Sequence, residues 1–149
     1  MSKIVIIGAG AMGSAFALPC LDNNHDINII GTHLENDFID RLKNNNNLHP
    51  GLNIKLPDKI KIFKFDKFNE IINSKADLIV LGVSSKGIEW ISEQLSVIFK
   101  NKPIPRLLML TKGLSIYKNQ YELLVDKLER LLSEKGISKV NISAVGGPC

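Results

Sequence analysis

The sequence predicts an α/β protein on a doubly wound, mostly parallel sheet of about six strands in the order 3-2-1-4-5-6. Three observations carry this. Short β-branched runs alternate with helical patterns along the whole chain, and parallel strands need such crossover helices. Most of the runs lack polar alternation, as strands covered on both faces do. A glycine-rich turn joins the first run to the first helix. The 149 residues, 44% hydrophobic and 23% charged, suffice for one domain, 1–149. At this length a fold buries roughly 70% of its unfolded surface, so the core needs no covalent staples.

The elements follow in order. Lys3-Ile4-Val5-Ile6-Ile7 is the first strand, ended by Gly8. Helical character runs from Ala11 to Asn23, with Pro19 expected to kink or shorten it, at ~3 kcal/mol if the helix continues. Ile27-Asn28-Ile29-Ile30 is the second strand, closed by Gly31. A helix over Asn36–Asn45, with Phe38, Ile39 and Leu42, dissolves into the run Asn44–Asn47. Lys59–Phe63 alternates with period two and suits a half-exposed strand near a sheet edge. Phe68–Ser74 is a short helix, and Ala76–Val83 a buried strand. Ser85–Phe99 carries Ile88, Ile91, Leu95 and Ile98 on one helical face. Leu107–Leu110 is a strand ended by Thr111-Lys112-Gly113. Tyr117–Lys135 reads as a helix with an apolar stripe from Tyr121 to Leu132, capped by Gly136. Val140–Val145 is the last strand, before Gly146-Gly147-Pro148-Cys149.

Composition removes several classes. Cys20 and Cys149 make no disulfide framework, and no metal-ligand spacing joins them to His25, His33 or His49, so no metal site is expected. The net charge of +4 comes from lysines spread between Lys3 and Lys139, with only Arg41, Arg106 and Arg130 beside them. Basic and aromatic residues do not interleave, and nucleic acid is not expected as a partner. Ile4–Leu18 could pass for a signal peptide with Ala15-Phe16-Ala17 as its cleavage site. Three glycines interrupt that run, and Pro19 before Cys20 spoils a lipoprotein-type site. No segment reaches the ~18 apolar residues of a membrane span. A cytoplasmic protein is expected.

Gly8-Ala9-Gly10-Ala11-Met12-Gly13 has the spacing G-x-G-x-x-G at the junction of the first strand and helix. Gly8 permits the tight turn, Gly10 lets backbone approach a pyrophosphate, and Gly13 allows helix and strand to pack closely. The helix N-terminus then turns unpaired N–H groups toward the phosphates. In this context the motif predicts a dinucleotide-binding (Rossmann) fold; a glycine turn serving packing alone is the alternative.

The choice of dinucleotide is NAD or NADP, with a slight lean to NADP. NAD-binding chains usually carry an acid about twenty residues past the glycines to hold the ribose hydroxyls. The second strand ends Ile30-Gly31-Thr32-His33-Leu34 with no acid at its tip, and Glu35 comes late. A 2′-phosphate is then not repelled, and Thr32 and His33 could donate to it. No arginine is present to grip it, so weak discrimination is expected. His33 also reads as a solvated loop histidine.

Lys112 stands at the carboxyl end of a strand, where open α/β folds place their ligands. It suits an anionic substrate or a carbonyl to be polarised; a solvated loop lysine is the alternative. Ser84, Ser85 and Lys86 occupy the equivalent end one strand earlier and also read as caps of the next helix. Cys149 has no neighbouring base and reads better as a pocket-lining residue than as a nucleophile.

Six segments now fall in one order: Gly8–Ala15, His49-Pro50-Gly51, Leu56-Pro57, Val83-Ser84-Ser85-Lys86, Thr111-Lys112-Gly113-Leu114 and Gly146-Gly147-Pro148-Cys149. Together they resemble the N-terminal cofactor-binding domain of the NAD(P)-dependent glycerol-3-phosphate dehydrogenases, over essentially the whole chain. The resemblance implies that Ala11 and Met12 lie against the pyrophosphate and Thr32 and His33 near the adenine ribose. It implies that Lys112 contacts both substrate and cofactor, and that Gly147 and Cys149 line the substrate pocket. The chain departs from the family in having Met12 for an aromatic, Ser84 for a proline and Cys149 for Ser or Thr; an arginine often found near His33 is absent.

The resemblance further implies hydride transfer between the nicotinamide and C2 of dihydroxyacetone phosphate or glycerol 3-phosphate, a small phosphorylated substrate. The family's acid/base lysine and its phosphate-gripping group belong to a helical domain beyond Cys149, so no catalytic residue is expected here. A truncated or incomplete gene product, binding cofactor but turning over little, is the expectation. A homodimer is one arrangement open to the full-length protein. A reductase of the ketopantoate or 3-hydroxyacid type is the alternative within enzymes, and a free-standing NAD(P)-binding sensor module the alternative outside them.

Overall fold

A computed structural model describes residues 1–146. Its centre is a sheet of six parallel strands: β1 (Lys3–Ile7), β2 (Asp26–Ile30), β3 (Lys61–Phe63), β4 (Leu78–Leu81), β5 (Arg106–Met109) and β6 (Ile142–Ala144). Their order across the sheet is β6-β5-β4-β1-β2-β3, the doubly wound order expected from the sequence. Five helices connect them: α1 (Ala11–Asp22), α2 (Asn36–Asn44), α3 (Phe68–Ile72), α4 (Gly87–Ile98) and α5 (Leu124–Glu134).

The isoleucines of β1 and β2 supply both faces of the sheet at once. Val5 and Ile7 point to the side covered by α3, α4 and α5, where Ile79, Leu81, Ile91, Leu128 and Leu132 close the core. Ile4 and Ile6 point to the other side, with Ala17 of α1 and Ile39 and Leu42 of α2. Register aligns Ile6 of β1 with Ile29 of β2 and Val80 of β4. Each fully buried isoleucine contributes about 1.5–3 kcal/mol over an exposed one. β3 alternates exposed Lys61 with buried Ile62 and forms one sheet edge, as its period-two pattern predicts.

Three details differ from the sequence expectation or refine it. Helix α1 runs through Pro19 to Asp22, so the proline is housed in the last turn, where the N–H it lacks leaves only one carbonyl without its helical partner. The asparagine run is a turn: Asn46 and Asn47 have φ of 52° and 59°, a left-handed conformation asparagine tolerates better than most residues. The helix expected from Tyr117 begins only at Leu124. Residues 114–123 form instead a hairpin, Leu114–Tyr117 against Gln120–Leu123, turned by Lys118 and Asn119 at φ 48° and 63°. Two successive positive φ values suit the twist of a two-residue hairpin loop, and helix spacing cannot survive them.

That hairpin is polar toward α5 and apolar outward. Glu122 accepts two hydrogen bonds from Arg130, at 2.7 and 3.2 Å, and one from Ser115 Oγ at 2.9 Å. The Arg130 guanidinium also lies 3.8 Å from the centre of the Tyr117 ring. Leu114, Ile116, Tyr121 and Leu123 face away and are exposed. Among the described residues no helix is long and apolar enough to cross a membrane.

Candidate functional site

The carboxyl ends of β1 and β4 diverge into α1 on one face of the sheet and α4 on the other. Such a switch point is where open α/β sheets bind ligands. Gly8 leaves β1 at φ +105°, and a Cβ there would lie 2.7 Å from the carbonyl oxygen of Gly82, just past β4. A Cβ on Gly13 would land on the Gly8 carbonyl, and one on Gly82 would meet the Gly13 Cα at 3.2 Å. Strand, helix and second strand thus touch backbone to backbone. Gly10 differs: it takes an ordinary φ of −66°, and the nearest atom to its missing Cβ is Glu35 Oε1 at 3.9 Å. It leaves open space above the turn.

Helix α1 starts there with no side-chain cap and no acid in its first turn. Its leading N–H groups and the positive end of its dipole therefore suit an anion. Ala9 fixes the approach to this helix. Its carbonyl accepts from Ser14 Oγ at 3.0 Å and faces His49 Nε2 at 3.1 Å. His49 Nδ1 accepts the N–H of Leu52 at 3.2 Å, so the neutral ring carries its proton on Nε2 and donates to Ala9. His49 and Ser14 are both buried.

Two cavities flank the turn and share Gly82, Val83 and Ser84. The first, about 500 Å³, opens between Thr32–Glu35 after β2 and Lys86–Trp90 at the start of α4. The second, about 420 Å³, lies between Gly10–Met12 and Leu110–Lys112 after β5. Thr111 Oγ1 donates to the carbonyl of Val83 and ties the two strand ends together.

The sequence candidates divide between these spaces. Gly8, Thr32 and His33 line the first cavity; Gly10, Ala11, Met12 and Lys112 line the second. Gly13 lies beneath the turn rather than in either space. His33 is exposed but not merely solvated: its ring lies 5.0 Å from that of Trp90 and 6.0 Å from that of Phe65. Ser84 does not cap α4, whose N-cap is Lys86 with no side-chain bond; it lines both cavities instead. Gly147 and Cys149 lie outside the described residues. Cys20 is a half-buried free thiol away from both cavities, its pKa pushed up by burial.

Four contributors were given no site role by the sequence reading. Glu35 stands in the first cavity, where its carboxylate accepts the N–H of Ala9 at 3.0 Å and that of Thr32 at 2.7 Å. A turn closed by the Glu35 N–H on the Thr32 carbonyl brings it back to the strand tip. Gly82 was hidden in an apolar run, although a glycine in a strand often marks a close backbone approach. His49 sits in a short hairpin, Leu48–His49 against Ile54–Lys55, that period analysis could not detect. Trp90 lies off the apolar stripe of its helix. The glycine cradle, the uncapped helix and a cavity on either side fit a dinucleotide pyrophosphate with one nucleoside at each end.

Residues 3–149 match the family described as NAD-dependent glycerol-3-phosphate dehydrogenase N-terminus. The chain belongs to that family. Among curated relatives, a glycerol-3-phosphate dehydrogenase [NAD(P)+] of Fusobacterium nucleatum is 32% identical, aligned over 99% of this chain and 41% of its own length. An NADP(+)-dependent glycerol-3-phosphate dehydrogenase of Archaeoglobus fulgidus is 29% identical over 78% of this chain and 33% of its own. The chain therefore spans about two fifths of the first of these glycerol-3-phosphate dehydrogenases and a third of the second. The crystal structure of the Coxiella burnetii enzyme shares the fold with a TM-score of 0.76 at 21% identity, covering 99% of this chain and 41% of that one. A 2-dehydropantoate 2-reductase of Enterococcus faecalis shares it at 0.61 and 22%, covering 95% and 40%. Within the glycerol-3-phosphate dehydrogenase family, this chain is the N-terminal, NAD(P)-binding domain.

Proposed function

We propose that the chain holds NAD(P)(H) across the ends of β1 and β4, adenosine in the first cavity and nicotinamide in the second, as the cofactor half of a glycerol-3-phosphate dehydrogenase. The observation that carries this is the backbone contact of Gly8, Gly13 and Gly82 beneath an uncapped helix start, with a cavity to each side. The bound nicotinamide supplies or accepts the hydride exchanged with C2 of the substrate. The N–H groups of Ala11, Met12 and Gly13 hold the pyrophosphate, and Thr32 and His33 meet the adenine ribose. Lys112, beside Met12 and Thr111, meets both the nicotinamide end and a phosphorylated substrate. Gly147 and Cys149 complete the substrate side, and the acid/base lysine and phosphate grip come from a helical domain following Cys149.

Both dinucleotides are accepted in this reading, with NADP slightly favoured. Thr32, His33 and Lys86 border the first cavity and donate to a 2′-phosphate, while Glu35 opposes it but is engaged by two backbone amides. Titration of NADH and NADPH fluorescence on this chain tests the cofactor site; binding of neither refutes it. Assay of the gene product extended by ~150 residues tests the reaction, as does Lys112→Ala in it. If the extended protein ignores dihydroxyacetone phosphate with both cofactors while binding them, the substrate assignment fails and the dinucleotide site stands.

A further inference from the structure

We infer that Trp90 supplies the aromatic face on which the adenine ring stacks, with His33 as its outer edge. This rests on the dinucleotide reading above and adds a residue that holds the base. The inward face of α4 is made by Ile88, Ile91, Ser92 and Leu95. At 100° per residue Trp90 lies on nearly the opposite side of the helix from that stripe, packed only at the margin of the core. It is nonetheless half-buried, because two rings from the segment before α3 and within it close on it. Phe65 and Phe68 both sit 5.8 Å from its centroid, tilted 51° and 60°. These contacts fix the indole from one side, and its remaining surface borders the first cavity beside His33.

The two cavities are chemically unequal in a way that suits this assignment. The first has the only aromatic lining, Trp90 and His33. The second is bordered by Met12, Leu110 and Lys112, flexible or aliphatic side chains around a cation. A purine offers a wide, neutral π-face that stacks well on an indole, and such stacking tolerates variation at the base edge. The wall is also pre-ordered by Phe65 and Phe68, so little side-chain freedom is lost when the ring arrives.

Trp90 is the only tryptophan in the chain, so its emission reports on this wall alone. The experiment titrates the 149-residue protein with ADP-ribose, with nicotinamide mononucleotide and with NADH, following tryptophan emission and heat in parallel. ADP-ribose and NADH quench Trp90, and nicotinamide mononucleotide does not. By calorimetry Trp90→Ala weakens ADP-ribose binding roughly tenfold or more, the range of one base–aromatic stack. Trp90→Phe, which keeps an aromatic face, retains most of the affinity. His33→Ala, on an exposed loop that leaves the fold intact, weakens it several-fold. Unchanged ADP-ribose affinity in Trp90→Ala, or no quenching in the parent, overturns the proposal, as does quenching by nicotinamide mononucleotide instead. If the parent protein takes up no NADH heat at all, the dinucleotide reading itself falls.

Discussion

Glu35 holds the glycine turn from outside it: its Oε1 accepts the N–H of Ala9 at 3.0 Å while Oε2 accepts that of Thr32 at 2.7 Å. One carboxylate therefore links the end of β1 to the end of β2 and places a negative charge in the first cavity. Glutamine at position 35 keeps one acceptor oxygen and loses the other. Glu35→Gln is expected to cost about 1 kcal/mol of stability. It is also expected to raise NADPH affinity several-fold relative to NADH, because a charge facing the 2′-phosphate is gone. Paired fluorescence titrations check this; equal change for both dinucleotides would mean that Glu35 only positions backbone.

The glycines of the turn separate by experiment. A methyl on Gly13 collides with the Gly8 carbonyl, so Gly13→Ala pushes α1 off the sheet and costs about 1–3 kcal/mol. A methyl on Gly10 meets only open space and an ordinary φ. Gly10→Ala therefore leaves urea stability unchanged or raises it by about 0.4–1 kcal/mol. Its methyl nonetheless occupies the pyrophosphate path, and NADH binding drops at least tenfold. Retention of full binding in Gly10→Ala would show that the cofactor does not pass over this residue.

His49 anchors the same turn through the Ala9 carbonyl and is itself buried against Phe38, their rings 5.3 Å apart. His49→Ala removes the donor and leaves a void; a loss on the order of 2 kcal/mol follows, with weaker NADH binding. His49→Gln keeps an N–H within reach and recovers part of both. Denaturant midpoints and NADH titrations on the two variants decide whether the histidine acts through its hydrogen bond or through volume alone.

The hairpin gives an acid-side signature. Arg130 beside Glu122 holds that carboxylate below the usual range, and Ser115 assists. A lowered folded pKa stabilises the protein above the unfolded value of about 4.3 and loses that contribution as pH falls through the folded one. Glu122→Gln is expected to lower stability at neutral pH and to make the decline below about pH 4.5 shallower. Thermal melts from pH 7 to pH 3 test it; parallel curves for parent and variant would show the pair to be energetically silent.

The sheet was legible because β1, β2 and β4 are mostly apolar with no polar alternation, β2 broken only by Asn28, as strands covered on both faces are. The glycine turn was legible because its three glycines have separate backbone duties at fixed spacing. Leu114–Leu123 was not, since Tyr121, Leu124, Leu128 and Leu132 continue a helical stripe across a boundary set by two positive φ values. The competing signal was present: Leu114 and Ile116 alternate before Lys118-Asn119, and Tyr121 and Leu123 after it. Glu35 was discounted for lying past the strand tip, yet one turn returns its side chain there. His49 and Trp90 act through contacts more than twenty residues away in sequence, which no local pattern encodes.

The contact of Gly8, Gly13 and Gly82 has a consequence for how such a protein can diverge. The floor proposed for the phosphates is main chain, so it offers no side chain to exchange and no gradual route by which a substitution could reshape it. In the reading proposed above, variation in cofactor choice falls to the rim, where Thr32, His33 and Glu35 follow β2, Lys86 and Trp90 stand at the start of α4, and each can be replaced singly. Anchoring and selectivity thus evolve independently: the first is locked by three neighbouring backbones, and the second is left free to drift.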